Sequence, residues 1–342
     1  MMAAARVALR RALRVLLCMA VGVFVLSGIG ALWYQAPLRW LWLPLWSVLG
    51  VAMLLALAGR LPQPRRGRVL GAGLVATLVL LGWWQTVLPM QDRDWSDDVA
   101  RLLDADVEGS RVTLRNVRNF DWTRNGDPVP RWETRRYDLD RLASADLVMS
   151  YWMGPAIAHT LVSFGFDDGS RVVFSLEIRK ERHESFSAIG GFFKQFEAVL
   201  IAADERDIVR VRSNVRDEDV YLYRLAIPRE QLRTLFLAYV DEAGTLQQAP
   251  RFYNTVTSNC TTIVFDIARH IAPGLPLDIR LLLSGWFGQY THAHGGLAGQ
   301  GPFARLEAAG RITDRARDAD RDPDFSRAIR RGVPGIPESE TR

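Results

Sequence analysis

Three apolar stretches before Gln91 constrain this chain more than anything that follows them. They run from Val15 to Tyr34, from Leu41 to Gly59 and from Val69 to Met90. Each is close to the ~20 residues that a ~30 Å hydrocarbon core requires of a spanning helix. The first is long for the apolar core of a signal peptide, and two more spans follow it, so it reads as a retained anchor. Val15-Leu16-Leu17-Cys18 lacks the small residue that a lipoprotein signal places before its cysteine. Cys18 therefore reads as a lipid-facing or packing residue.

Arginines orient these spans. The chain carries a net charge of +5, and the excess lies mostly in the N-terminal third. There Arg6, Arg10, Arg11, Arg14, Arg39, Arg60, Arg65, Arg66 and Arg68 have no acidic neighbours. The basic N-terminal flank and the Arg60–Arg68 loop face the cytoplasm by the positive-inside rule. An odd number of spans then displays everything after Met90 on the outer face of the membrane. Trp33, Tyr34, Trp40, Trp42, Trp83 and Trp84 fall near the outer ends, as an aromatic belt does. Without its anchor the chain is not basic, so the charge argues for membrane topology and against nucleic-acid binding.

From Gln91 to about Ala316 there is room for one domain of roughly 220 residues. Asp94 to Leu103 reads as a short helix. Strands are expected at Arg111–Phe120, Trp132–Tyr137, Ala145–Trp152, His159–Phe166, Arg171–Ile178, Ile208–Arg212 and Val220–Leu225. Asn125-Gly126-Asp127-Pro128 is a turn. Asp167-Asp168-Gly169 closes a hairpin of three-residue loop type, and its register sets His159 opposite Glu177. Ser187 to Gln195 reads as a helix start or surface loop. Amphipathic helices are expected at Pro228–Tyr239 and Thr262–Ile271. Arg317 to Arg342 is charged and poor in apolar residues, and reads as a mobile tail.

The chemistry centres on Cys260, in Thr257-Ser258-Asn259-Cys260-Thr261-Thr262, with the pattern Ile263, Val264, Ile267, Ala268 and Ile271 behind it. That places a lone thiol at a helix start, where the helix dipole favours thiolate, the nucleophilic form. A buried cysteine packing as a small hydrophobe is the alternative. A nucleophile needs a base and the base an orienting group. Of His159, His183, His270, His292 and His294, His159 lies at a strand start beside small apolar residues. His183 is in a charge run, and His270 is too far along the cysteine's helix. His292-x-His294 can bind zinc only with two further ligands, and no such motif accompanies it. No metal or cofactor is expected. Glu177 is the first candidate orienting group, with Tyr151 and Asn259 as alternatives. Each has a structural role open to it: a pair with Arg179, a core position and a helix cap respectively. Arg118, Arg179, Arg206 and Arg210 are candidates for holding a phosphate or carboxylate.

Four stretches resemble the Lnb N-terminal periplasmic domain family. They are Asn116–Asp121, Ser150-Tyr151-Trp152 through Ala158-His159-Thr160, Ala203–Asp207, and Phe252-Tyr253-Asn254 through Asn259-Cys260-Thr261-Thr262. That family is similar to permuted papain-like proteins of the NlpC type, with histidine before cysteine in the chain. The fold expected is α+β: the three N-terminal transmembrane helices read above, followed by what the resemblance implies, a permuted papain-like domain built on an antiparallel sheet. It also implies a His159–Cys260 dyad. Family members include an N-acyltransferase of lipoproteins, whose membrane part follows its periplasmic domain, whereas here the spans come first. The implied activity is cysteine-dependent acyl transfer through a Cys260 thioester, with membrane phospholipid or lipoprotein as substrate and helix-start N–H groups as oxyanion donors. The other readings are a cell-wall peptidase or amidase and a non-catalytic envelope scaffold. An apolar groove lined by Phe192, Phe193, Phe196, Trp286 and Phe287 is expected for acyl substrates, and a polar or acidic cleft for peptide.

Overall fold

The shift from apolar to mixed sequence near Met90 divides the chain into two units. The computed structural model describes residues 2–123 and 126–341. Asn125 of the expected turn lies outside the described residues.

The first unit comprises Met1–Pro89 and Ser187–Gln195. Its helices are α1 (Met2–Gln35), α2 (Arg39–Leu57) and α3 (Arg65–Thr86). All three are long and apolar enough to cross a membrane. α1 packs on α2 and α2 on α3. Gly28 lies under the Trp46 indole and Gly50 against Val25, so small residues let the first two helices approach closely. Trp46 Nε1 also donates to the Val25 carbonyl at 2.9 Å. Ser187–Gln195, expected as a helix start or surface loop, packs with these helices instead. The Phe193 ring stacks on Tyr34 at 5.8 Å, and Gln35 Nε2 donates to the Phe193 and Lys194 carbonyls. Lys194 Nζ donates to the carbonyls of Trp84 and Val87.

The second unit, Met90–Phe186 with Phe196–Arg342, is an α+β domain. Its strands are β1 (Asp104–Glu108), β2 (Arg111–Arg118), β3 (Asp121–Trp122), β4 (Pro128–Val129), β5 (Trp132–Asp138), β6 (Leu142–Tyr151), β7 (Ala158–Phe166), β8 (Arg171–Arg179), β9 (Glu197–Ala203) and β10 (Asp219–Arg224). Its helices are α4 (Glu205–Arg210), α5 (Arg229–Gln248), α6 (Cys260–Ala268), α7 (Phe287–Ala293), α8 (Phe303–Gly310), α9 (Thr313–Asp318) and α10 (Phe325–Ala328). The main sheet runs β1-β2-β9-β8-β7-β6-β10, with β5 also paired to β2. Its pairs are antiparallel apart from the single parallel bridge Arg118↔Ala203.

Both faces of the sheet are covered. On one, Leu147, Val162, Phe164 and Phe174 meet α5 and α6. On the other, Val148, Leu161, Val173 and Val199 meet α4 and the C-terminal segment. Burial on both sides explains why β9 carries no polar alternation: all seven of its residues are buried.

Several local expectations give way to this packing. Ile208–Arg212, expected as a strand, forms α4 and a π turn over Val211–Val215. Asp204 caps α4 by accepting from the Arg206 N–H at 2.9 Å. Asp94–Leu103 holds only a 3₁₀ turn at Asp97–Val99. The stretch from Arg317 on is not a free tail. Phe325 and Ile329 are buried, and Arg330 is fully buried between Asp146 at 2.7 Å and Glu205 at 2.5 Å. Glu340 joins Arg224 and Arg171. Among the charges that resemble a solvated tail, Arg317, Asp320, Arg330 and Glu340 are paired with groups from distant elements.

Candidate active site

The β7–β8 hairpin turns at Gly169, whose φ is +83°, in the left-handed conformation that glycine accommodates. The strands pair from Gly165↔Arg171 to Leu161↔Ser175 and then diverge. β7 stays with β6, where His159 faces Ser150, and β8 stays with β9, where Glu177 faces Val199. The N-terminal end of α6 packs against both strands where they part. Cys260 is the first residue of that helix and is buried. Thr160 and Thr261 join hydroxyls at 3.1 Å beside it.

In that fork the thiol, the imidazole and a carboxylate meet. The Cys260 sulfur and the His159 imidazole act on each other, each favouring the other's ionised form. His159 Nε2 lies 2.8 Å from Ser175 Oγ and 3.2 Å from Glu177 Oε1. That leaves Nδ1 as the nitrogen that serves the thiol. Ser175 Oγ donates to Glu177 Oε1 at 2.7 Å. Behind Glu177 stands Arg212, whose Nη2 donates to Oε1 at 2.9 Å. Its Nη1 donates to Glu218 at 3.3 Å, and Glu218 accepts from Ser150, the strand partner of His159.

The charges reinforce one another. Burial and Arg212 press His159 toward neutrality, but Glu177 and the Cys260 sulfur outweigh them, and its pKa rises to about 9. Burial opposes the charge of Glu177, yet the imidazolium and Arg212 hold it well below the usual carboxylate range. Burial also opposes the thiolate; the imidazolium, the Thr160 amide and the Thr261 hydroxyl bring Cys260 below its ordinary value. The imidazole is thus drawn toward its charged form and the thiol toward thiolate, with a carboxylate anchoring the pair.

Of the residues the sequence singles out, Cys260, His159 and Glu177 come together. Glu177 takes no part in a surface pair with Arg179, which bonds the carbonyls of Val99 and Ala100. Asn259 caps α6: its Oδ1 accepts from the Thr261 and Thr262 amides, and its Nδ2 donates to the Thr255 carbonyl. Its side chain is committed there and does not orient His159. The cap also occupies two helix-start amides expected to serve an oxyanion, but it does not engage the amide of Cys260 itself. Tyr151 donates its hydroxyl to the Gly285 carbonyl at 2.6 Å and walls a separate cleft. Arg118 is bound to Asp207 and Arg210 to Asp320, both at 2.8 Å, while Arg206 is exposed. The ring nitrogens His292 Nε2 and His294 Nδ1 contact the backbone carbonyls of Gly301 and Tyr290. Among the described residues no cluster of His, Cys, Asp and Glu is arranged to hold a metal ion.

Two residues carry more of the site than the sequence signalled. Arg212 lay hidden in Val-Arg-Val-Arg, whose alternation imitates a strand. Tyr253 sits near the thiol: burial, then Cys260 and Glu177, push its phenol above the ordinary range, so it stays protonated and able to donate. The expected aromatic groove does not form as one surface. Phe192 and Phe193 belong to the first unit, Phe196 is fully buried, Trp286 walls the Tyr151 cleft and Phe287 lines a different cavity. That cavity, about 220 Å³, is apolar and is lined along α6 by Val264, Phe265 and Ala268.

Fold and site together define an α+β domain in which a buried cysteine meets a half-buried histidine and glutamate, in a chain with three helices of membrane-spanning length. Residues 129–285 match the family model described as the Lnb N-terminal periplasmic domain. The matched span contains Cys260, His159, Glu177 and Arg212. No curated protein and no solved structure matches the chain.

Proposed function

We propose that this protein is a membrane-anchored, periplasmic acyltransferase that works through a Cys260 thioester. The observation that carries the reading is the His159–Cys260 pair braced by Glu177 and Arg212. The Cys260 thiolate attacks the carbonyl carbon of an acyl ester, forming a C–S bond. As the C–O bond breaks, His159 gives its Nδ1 proton to the departing alkoxide. An amine then attacks the thioester and passes a proton to His159; the C–N bond forms, and the C–S bond breaks to return the thiolate. The Cys260 amide and the Tyr253 hydroxyl are the donors offered to the oxyanion. The apolar cavity along α6 favours an acyl substrate, with membrane phospholipid as donor and lipoprotein as acceptor. The domain is of permuted papain-like type in this reading. The N-terminus and the Arg60–Arg68 loop are cytoplasmic, in the inner membrane, by the positive-inside rule.

Hydrolysis of cell-wall peptide is the second reading, favoured by the acidic cleft beside Tyr151. The test is chloroacetamide labelling of wild type, Cys260→Ala and His159→Ala in membranes, followed by assay with phospholipid and an amine acceptor in proteoliposomes. Fast labelling lost in both variants, together with amide product, is expected. Labelling at the rate of a free thiol and indifferent to His159→Ala would sink both enzymatic readings. Peptide hydrolysis with no acyl transfer would select the second.

A further inference from the structure

α1 and α3 each pack on α2, and between their C-terminal ends a groove of about 490 Å³ remains. α1 lines it with Phe24 and Ala31, and α3 with Leu81 and Trp84. Phe192 and Phe193 of the Ser187–Gln195 segment line it as well, and all of these residues belong to the first unit. Three successive spans place the C-terminal ends of α1 and α3 on the same side of a membrane. From Phe24 to Tyr34 α1 rises about 15 Å, at about 1.5 Å per residue, which is the depth of one leaflet of a ~30 Å core. The groove thus runs from the level of Tyr34 and Trp84 through one leaflet.

The Ser187–Gln195 segment marks the same place independently. Ser185 to Phe193 carry no charge, and Ile189 and Phe192 expose large apolar side chains. The Phe193 ring rests on Gly30, where a Cβ would come within 2.3 Å of it. Together with the Tyr34 stacking and the Gln35 bonds, that close approach fixes the segment on the helix ends.

The mouth of the groove carries a positive charge. The Lys194 ammonium lies 4.6 Å from the centre of the Trp84 ring, at the carbonyls of Trp84 and Val87. A lysine at the end of a span reaches the headgroup layer, where its charge meets lipid phosphate.

We propose that this groove seats one acyl chain of a phospholipid from the leaflet it opens to, with the lipid phosphate beside Lys194. A hydrocarbon chain fills an apolar slot of leaflet depth and brings no polar group that would go unbonded there. A helix of a second chain, about 10 Å across with its side chains, is too wide for about 490 Å³. Ile189 and Phe192 lie in the same leaflet, where their exposed side chains meet lipid instead of water. The site is independent of the chemistry assigned to Cys260.

The test is photolabelling of the full chain in proteoliposomes, with phosphatidylcholine that carries a diazirine midway along one acyl chain. Labelled residues are mapped by mass spectrometry. Phe24, Leu81 and Phe192 should be labelled roughly threefold or more above Val23, Leu26, Leu78 and Val79, which are exposed on the same spans. Ser27 also lines the groove, and Ser27→Phe should abolish that excess while leaving the control positions unchanged. Leu81→Trp fills the groove from the other wall and repeats the test should Ser27→Phe fail to fold. A diacylglycerol with the same chain and no phosphate should label the groove less. Equal labelling of groove and control positions, a groove left unlabelled while the controls react, or an excess that survives filling would each overturn the site. Equal labelling by the diacylglycerol would overturn the phospholipid assignment.

Discussion

Replacing Glu177 with glutamine tests the electrostatics of the site most directly. Glutamine keeps the shape and removes the charge that sustains the imidazolium. The rise of His159 from 6.5 to about 9 corresponds to about 3 kcal/mol in favour of its charged form, at about 1.4 kcal/mol for each tenfold step. In the variant, burial and Arg212 still oppose that charge, so the imidazole is neutral at pH 7. Cys260 then loses its strongest counter-charge while burial still opposes the thiolate, so its pKa moves back up. Each unit by which that pKa rises above the working pH cuts the thiolate population about tenfold while greater nucleophilicity of the more basic sulfur returns about threefold, so alkylation slows about threefold per unit. The assay is the rate of chloroacetamide labelling against pH. The labelling rate of Glu177→Gln should climb over a pH range displaced upward from that of wild type. Turnover of wild type should instead fall as pH rises through about 9, because the proton that His159 gives the leaving group is then gone. A Glu177→Gln protein that labels at the wild-type rate at pH 7, with the same pH profile, would refute the argument.

Other perturbations probe the supports of the site. Arg330→Met leaves Asp146 and Glu205 buried without their cation, so unfolding should become easier by roughly 3–5 kcal/mol, read as a lowered melting temperature. Glu205 is buried yet held at about 2 by Arg330. Its stabilisation is therefore complete above about 4.5 and lost as pH falls toward about 2, which an acid-unfolding series should register. Asn259→Ala removes the α6 cap and should cost about 1 kcal/mol in thermal unfolding. Gly285→Ala would drive a methyl group into the Pro155 carbonyl. It should shift the loop before His159, destabilise by roughly 1–3 kcal/mol and slow thiol labelling.

What the sequence made legible follows from the range over which each residue's role is decided. The His159–Glu177 pairing depends on one turn and a period of two, so a glycine at position 169 was enough to set it. Cys260 was readable because Asn259 and Thr262 mark a helix start within four residues. The three spans needed only apolar length. Arg212 could not be read this way. Val-Arg-Val-Arg alternates like a strand, and only the partners Glu177 and Glu218 reveal a π turn with its arginine turned inward. β9 was missed because sheet burial on both faces removes the alternation that identifies a strand. The C-terminal segment misled for the same reason as Arg212. A charged residue reads as solvated until its counter-charge is known, and for Arg330 that lies 184 residues away at Asp146. The nucleophile and base could therefore be chosen from local pattern. The charges that set their protonation had to wait for the fold, and those charges decide whether Cys260 is a reactive thiolate or an inert buried thiol.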